Sequence, residues 1–139
     1  MACSYSELAG LELPGWFEDR NQDFEFSYVD VEVSDGVAIV RLNRPEAMNA
    51  LNVTLVNQLG ECLDKLNSME EVSTIVLEGA GKAFVAGADV KFFVDKLRAD
   101  SFGEIYDFTA KGHEVLGKLE GSEKTTIALT TGLALGGGL

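Results

Sequence analysis

From Val29 to Val33 apolar and acidic residues alternate, with Asp30 and Glu32 between valines, which predicts a strand with one face buried and one in water. Ser34-Asp35-Gly36 supplies a hairpin-type turn, and Val37 to Leu42 is its partner strand. Asn43-Arg44-Pro45 then breaks the sheet, because Pro45 lacks an N–H and biases Arg44 away from helix. The period changes to 3.6 over residues 52–67, where Leu55, Val56, Leu59, Cys62, Leu63 and Leu66 share one stripe of a helix. A β-branched strand is expected over residues 73–78, and Gly79-Ala80-Gly81 turns out of it. Beyond a small-residue turn at Gly87, the spacing of Val90, Phe93, Val94 and Leu97 marks a short amphipathic helix. A longer helix is expected over residues 101–119, with Phe102, Ile105, Phe108, Val115, Leu116 and Leu119 near one face. Ser101 and Glu104 have the spacing of a capping box at its start. A last strand is expected over residues 125–129, so the order β-β-α-β-turn-α-α-β predicts an α/β fold.

Composition changes this picture at the N-terminus. A chain of 139 residues that is 46% hydrophobic is one domain's worth of sequence with a substantial core. Its net charge of −12 argues against nucleic acid and against an anionic membrane surface, since no basic patch exists to neutralise phosphates. Nine of the acids fall in residues 1–36 against Arg20 alone. Residues 1–27, which also hold Pro14-Gly15 and little periodicity, are expected to form an acidic arm or linker, with residues 28–139 as the folded body. No basic-then-apolar leader follows Met1, and no apolar run approaches the roughly 20 residues of a membrane span. Cys3 and Cys62 are far apart and suit a reducing cytoplasm, where the protein is expected to reside.

The candidate chemistry lies in two small-residue turns. Gly136-Gly137-Gly138 follows an apolar run, and Ala83-Phe84-Val85-Ala86-Gly87-Ala88-Asp89 lies upstream; both let backbone N–H groups approach a ligand. Two such turns suit the stabilisation of a carbonyl oxygen as it becomes an anion. Simpler motifs fail. Val76 stands where a phosphate loop beginning before Gly81-Lys82 needs glycine, Phe84 occupies the third small position of a dinucleotide fingerprint, and no serine sits in a Gly-x-Ser-x-Gly elbow. The plainer readings are kept in view: a flexible helix entry for Gly136–Gly138 and a helix cap for Asp89, which is compatible with an aimed Ala88 N–H. His113 reads as a helix-flank residue, Cys62 as packing, Glu70-Glu71 as a solvated loop, and Lys82 as either a solvated charge or a ligand contact.

Three blocks together, Asn43-Arg44-Pro45 with Asn49-Ala50-Leu51, then residues 83–89, then Gly132-Leu133-Ala134-Leu135-Gly136-Gly137-Gly138, resemble the enoyl-CoA hydratase/isomerase (crotonase) superfamily in order and spacing. The resemblance covers residues 29–139. It implies a crotonase-type spiral of β-β-α turns, assembled as trimers or dimers of trimers, that binds acyl-CoA thioesters. By the same resemblance the N–H groups of Ala88 and Gly137 are the oxyanion-hole donors. Ala47, Ala86, Asp89, Val90 and Lys91 match positions lining coenzyme A, with Lys91 near its nucleotide charge. Coenzyme A is part of the substrate, and neither a separate cofactor nor a metal is expected.

The family's first catalytic glutamate follows the last glycine by two positions, which would be residue 140, and the second lies further downstream. The 139-residue chain therefore resembles the front half of such an enzyme, cut before the C-terminal helices, and is expected to lack hydratase activity alone, to self-associate, and to be least ordered over residues 131–139. Thr125, Glu46 and Thr131 depart from residues frequent in the family, Glu46 weakening the case for phosphate contacts. The acidic arm resembles the linker of fused dehydrogenase–hydratase proteins. Hydration, double-bond isomerisation and a non-catalytic acyl-CoA-binding or assembly role all remain open at this point.

Overall fold

The computed structural model describes residues 24–139. The chain runs β1 (Val29–Ser34), β2 (Val37–Leu42), α1 (Val53–Ser68), β3 (Thr74–Gly79), β4 (Ala83–Val85), α2 (Val90–Arg98), α3 (Phe102–Glu120), β5 (Thr125–Leu129) and β6 (Leu133–Ala134), with 3-10 turns at Pro45–Ala47 and Gly136–Gly138. Two β-β-α turns and the strands of a third follow one another, as the spiral expectation requires.

β1 and β2 form the antiparallel hairpin, Val29 facing Leu42 and Ser34 facing Val37. β3 joins β2 in parallel and β5 joins β3 in parallel, giving the sheet order β1-β2-β3-β5. Parallel neighbours need a crossover, and α1 makes the first one while α2 and α3 make the second. The alternation read in the sequence puts Val29, Val31, Ala38, Val40, Leu42, Ile75 and Leu77 on the covered face. The α1 stripe of Leu55, Val56, Leu59, Cys62, Leu63 and Leu66 seals it, with Val115 and Phe108 from α3 behind. Each such aliphatic side chain contributes about 1.5–3 kcal/mol on full burial. Asn52 starts α1 by accepting the Leu55 N–H at 2.8 Å.

Four expectations change. The small-residue block at 83–89 opens as a strand, β4, buried at all three positions and paired in parallel with β6; a strand covered on both faces shows no alternation to read. The capping box does not form: Ser101 makes no side-chain cap bond, and Glu104 pairs instead with Lys96 of α2 at 2.8 Å. On α2 the packed residues are Phe92 and Phe93, which meet Phe108 with ring centroids 5.0 and 5.7 Å away, whereas Val90, Val94 and Leu97 are exposed. On α3 only Phe108 and Val115 are buried, and Phe102 and Leu116 face outward.

Phe24 is buried and Phe26 half-buried at the end of the segment expected as an arm, both beneath the Lys65 ammonium. The rest of that segment, residues 1–23 with Cys3, lies outside the described residues. Among the described residues no helix is long and apolar enough to cross a membrane.

Candidate functional site

The two small-residue turns, 48 residues apart in sequence where Gly87 meets Leu135, are brought side by side by the β4–β6 pairing. Val85 accepts the Leu135 N–H at 3.0 Å, so β6 delivers the Gly136–Gly138 turn directly against the end of β4. A Cβ on Gly138 would overlap the Val85 carbonyl, so only glycine lets the turn sit this close. On the other side of the 83–89 segment runs the loop 48–51. Ala86 donates to the Met48 carbonyl at 3.1 Å, Leu51 donates to Gly87 at 2.8 Å, and Asp89 donates to Leu51 at 2.9 Å.

These bonds reveal how the Ala88 N–H is aimed. The Val85 carbonyl faces Leu135 and the Ala86 N–H faces Met48, as alternation along a strand demands. Continued alternation would turn the Gly87 carbonyl back to Leu135 and the Ala88 N–H towards the 48–51 loop. Gly87 instead has φ +92°, a left-handed conformation, and its carbonyl lies on Leu51. The inversion leaves the Ala88 N–H on the opposite side, where Leu135 and Gly136 pack against Gly87, the Leu135 oxygen lying 3.2 Å from where a Gly87 Cβ would be. Gly137 is in the first turn of a 3-10 segment, whose leading N–H groups have no partner within the helix. Among the described residues neither the Ala88 nor the Gly137 N–H takes part in a hydrogen bond. Two unspent donors thus sit on two turns in contact, an arrangement able to receive one oxyanion.

Two members of the polar frame beneath this site, Arg44 and Asn49, were assigned no role from sequence. Arg44 is held on both sides of the Leu51–Ala88 bridge: Nη1 donates to the Ala50 carbonyl and Nη2 to Asp89 Oδ2, each at 2.9 Å, with the guanidinium 5.9 Å from the Tyr28 ring centroid. Asp89 Oδ1 caps α2 by accepting the Lys91 N–H at 3.0 Å, so both carboxylate oxygens are engaged. Burial works to raise the Asp89 pKa. The hydrogen bond and charge of Arg44 and the N–H groups of Lys91 and Phe92 outweigh it and hold the carboxyl below its ordinary 3.8. Asn49, 0% exposed and left-handed at φ +56°, is the second node. Its Oδ1 accepts the Arg44 N–H, and its Nδ2 donates to the Ala80 and Ala83 carbonyls at 2.8 and 2.9 Å. The signal was present in Asn43-Arg44-Pro45 and Asn49-Ala50-Leu51, since an Asn tolerates a left-handed backbone and an Arg can bridge a carboxylate and a carbonyl.

Of the remaining predicted positions, Ala47, at the end of the 3-10 turn, and Ala86, just after β4, are half-buried, whereas Val90 and Lys91 project from the exposed start of α2. Lys82 and His113 are exposed, and the Lys82 carbonyl packs against Gly132. Cys62 is packed in the α1 stripe, and burial pushes its thiol up to about 12, only partly offset by Lys65. A cavity of about 290 Å³ lined by Val53, Val56, Phe92 and Phe108 lies among α1, α2 and α3 and includes neither Ala88 nor Gly137.

A spiral of β-β-α turns whose second and third turns bring two small-residue segments into contact defines the class of fold. Residues 37–139 match the family model for enoyl-CoA hydratase/isomerase, and the chain belongs to this crotonase family. It is 40% identical over 108 residues to a probable enoyl-CoA hydratase of Mycobacterium bovis, covering 78% of this chain and 40% of that protein. It is 37% identical over 115 residues to a short-chain-enoyl-CoA hydratase of Clostridium acetobutylicum, covering 82% and 42%. The solved enoyl-CoA hydratase of Shewanella pealeana superposes with a TM-score of 0.75 at 25% identity, over 85% of this chain and 43% of that one. The architecture is therefore the crotonase fold, and the chain spans about two-fifths of the length of the relatives it matches.

Proposed function

We propose that this chain supplies the thioester-polarising part of an enoyl-CoA hydratase site. The substrate is an acyl-CoA thioester with a double bond between C2 and C3. As water adds at C3, electron density moves through C2 onto the thioester oxygen, which becomes an enolate oxygen between the Ala88 and Gly137 N–H groups. Donors that meet this oxygen better when it is charged lower the barrier, each typically by ~3–4 kcal/mol. Ala47, Ala86 and the Asp89–Lys91 segment line the coenzyme A chain, with Lys91 free at the surface to meet nucleotide phosphates. Isomerisation through the same enolate would use the same two donors.

The observation that carries this reading is the pair of N–H groups, unbonded among the described residues, on two turns in contact. The short-chain names of relatives support crotonyl-CoA as the probe. Crotonyl-CoA labelled with carbon-13 at the thioester carbonyl is bound to the purified chain and its carbonyl stretch is followed by infrared difference spectroscopy. A bound band moved to lower frequency than in buffer is expected; a band that binds unmoved overturns the reading.

A further inference from the structure

Arg44 spans the one place where the backbone must hold an unusual direction. The Leu51–Ala88 bridge fixes Ala88 from one side only, through the Gly87 carbonyl and the Asp89 N–H. The first of them sets the direction of the Ala88 N–H, because the Gly87 carbonyl and the Ala88 N–H share one planar trans peptide and point opposite ways, so the donor is only as steady as the ladder that holds that carbonyl. Arg44 braces that ladder. Its guanidinium holds the Ala50 carbonyl before Leu51 and the Asp89 carboxylate after Ala88, so the fork ties the two strands across the bridge. The fork is itself fixed: the Arg44 backbone N–H is bound by Asn49, its carbonyl accepts the Asn49 and Ala47 N–H groups, and the Tyr28 ring faces the guanidinium. Side-chain exposures of 16% for Arg44 and 20% for Asp89 leave the pair partly desolvated, where geometry is stiffer than in a surface ion pair.

We propose that Arg44 is a positioning residue, cross-bracing the Leu51–Ala88 bridge through Asp89 so that the Ala88 N–H keeps the direction a thioester oxygen requires. This rests on the oxyanion-hole reading of Ala88. Arg44 touches no substrate; it acts through Asp89 and Ala50. An oxyanion donor is worth its full effect only when aligned in advance, so a brace that limits peptide rotation acts on carbonyl polarisation more than on binding of the coenzyme A moiety.

The test uses the full chain, carbonyl-labelled crotonyl-CoA and free coenzyme A. Arg44→Met keeps the packed stem and removes both donors. Its bound carbonyl is expected to lose about half or more of the wild-type frequency shift. The preference for crotonyl-CoA over free coenzyme A is expected to fall about tenfold, the scale of one charge-assisted hydrogen bond. The carbonyl frequency belongs to the bound population, so a loss of stability alone does not move it. Arg44→Lys keeps the charge but has no fork to reach both Ala50 and Asp89, and falls between the two. A wild-type carbonyl frequency in Arg44→Met overturns the inference. If that variant does not fold, Arg44→Lys decides, and a wild-type frequency there overturns it equally. An unshifted carbonyl in the wild type instead refutes the oxyanion hole, and the brace with it.

Discussion

Asn49 is the residue whose loss the structure prices most clearly. Asn49→Ala removes three hydrogen bonds from a side chain that is 0% exposed. The bond to the Ala83 carbonyl is buried, so that oxygen is left dry and unpaired, costing about 1–3 kcal/mol. The Ala80 carbonyl and the Arg44 N–H lie in part-buried bonds that water can replace, at about 1 kcal/mol each. Alanine also takes the left-handed backbone at φ +56° less readily than asparagine, at about 1 kcal/mol. Together these come to about 4–6 kcal/mol, against the 5–15 kcal/mol, roughly, that hold a domain folded. Urea unfolding followed by circular dichroism reads this directly. With a slope of about 2 kcal/mol per molar urea, the midpoint should fall by about 2–3 M at unchanged slope. Asn49→Gly, which accepts the backbone conformation, should be milder than alanine by about 1 kcal/mol. A midpoint shift below about 0.5 M for Asn49→Ala would refute the view that this amide ties the 43–51 loop to β4.

Gly137→Pro deletes one proposed donor, so the bound crotonyl-CoA carbonyl should lose much of its shift, and any form of the protein that turns this substrate over should slow about a hundredfold or more; near wild-type turnover removes Gly137 from the site. Gly87→Ala puts a Cβ 3.2 Å from the Leu135 carbonyl on a backbone at φ +92°, and is expected to melt earlier than wild type and to weaken the carbonyl shift; an unchanged shift would mean that the inversion at Gly87 does not aim Ala88. Asp89 has its folded pKa held below 3.8, so it stabilises the fold above its unfolded value and loses that contribution as pH falls through the folded one. Melting temperatures from pH 7 to 2 should show a smaller acid loss in Asp89→Asn, which keeps the helix cap, and an identical acid slope contradicts this. In a Cys3→Ser background, Cys62 should react with a thiol reagent only at the rate of global unfolding, because its thiol is buried with a pKa near 12.

Local pattern determined the elements whose cause is local. The valine and acid alternation at 29–33 and the 3.6-residue stripe at 55–66 depend on neighbours within one or two turns, and β1, β2 and α1 appear where that periodicity places them, within a residue at each end. The glycine blocks at 83–89 and 132–138 also announced the family, because backbone approach requires small residues in any context. What the pattern misassigned depends on partners distant in sequence. β4 is a strand because β6, 48 residues beyond its last residue, pairs with it and both its faces are covered. Glu104 leaves its cap for Lys96 because α2 and α3 fold against each other, and Phe92 takes the packed face of α2 because Phe108 waits there.

The site divides along the same line. The two turns were legible from their small side chains, which expose backbone N–H groups, and the family resemblance pointed to Ala88 and Gly137 within them. Which way those groups point was not. The direction of the Ala88 N–H follows from the inversion at Gly87, the ladder to Leu51 and the Arg44–Asp89 fork, all of which exist only once β4 lies between β6 and the 48–51 loop. A hydrogen bond is directional within tens of degrees, whereas residue type carries no direction. Sequence therefore determined the chemistry available to this chain, and tertiary structure alone decided its aim.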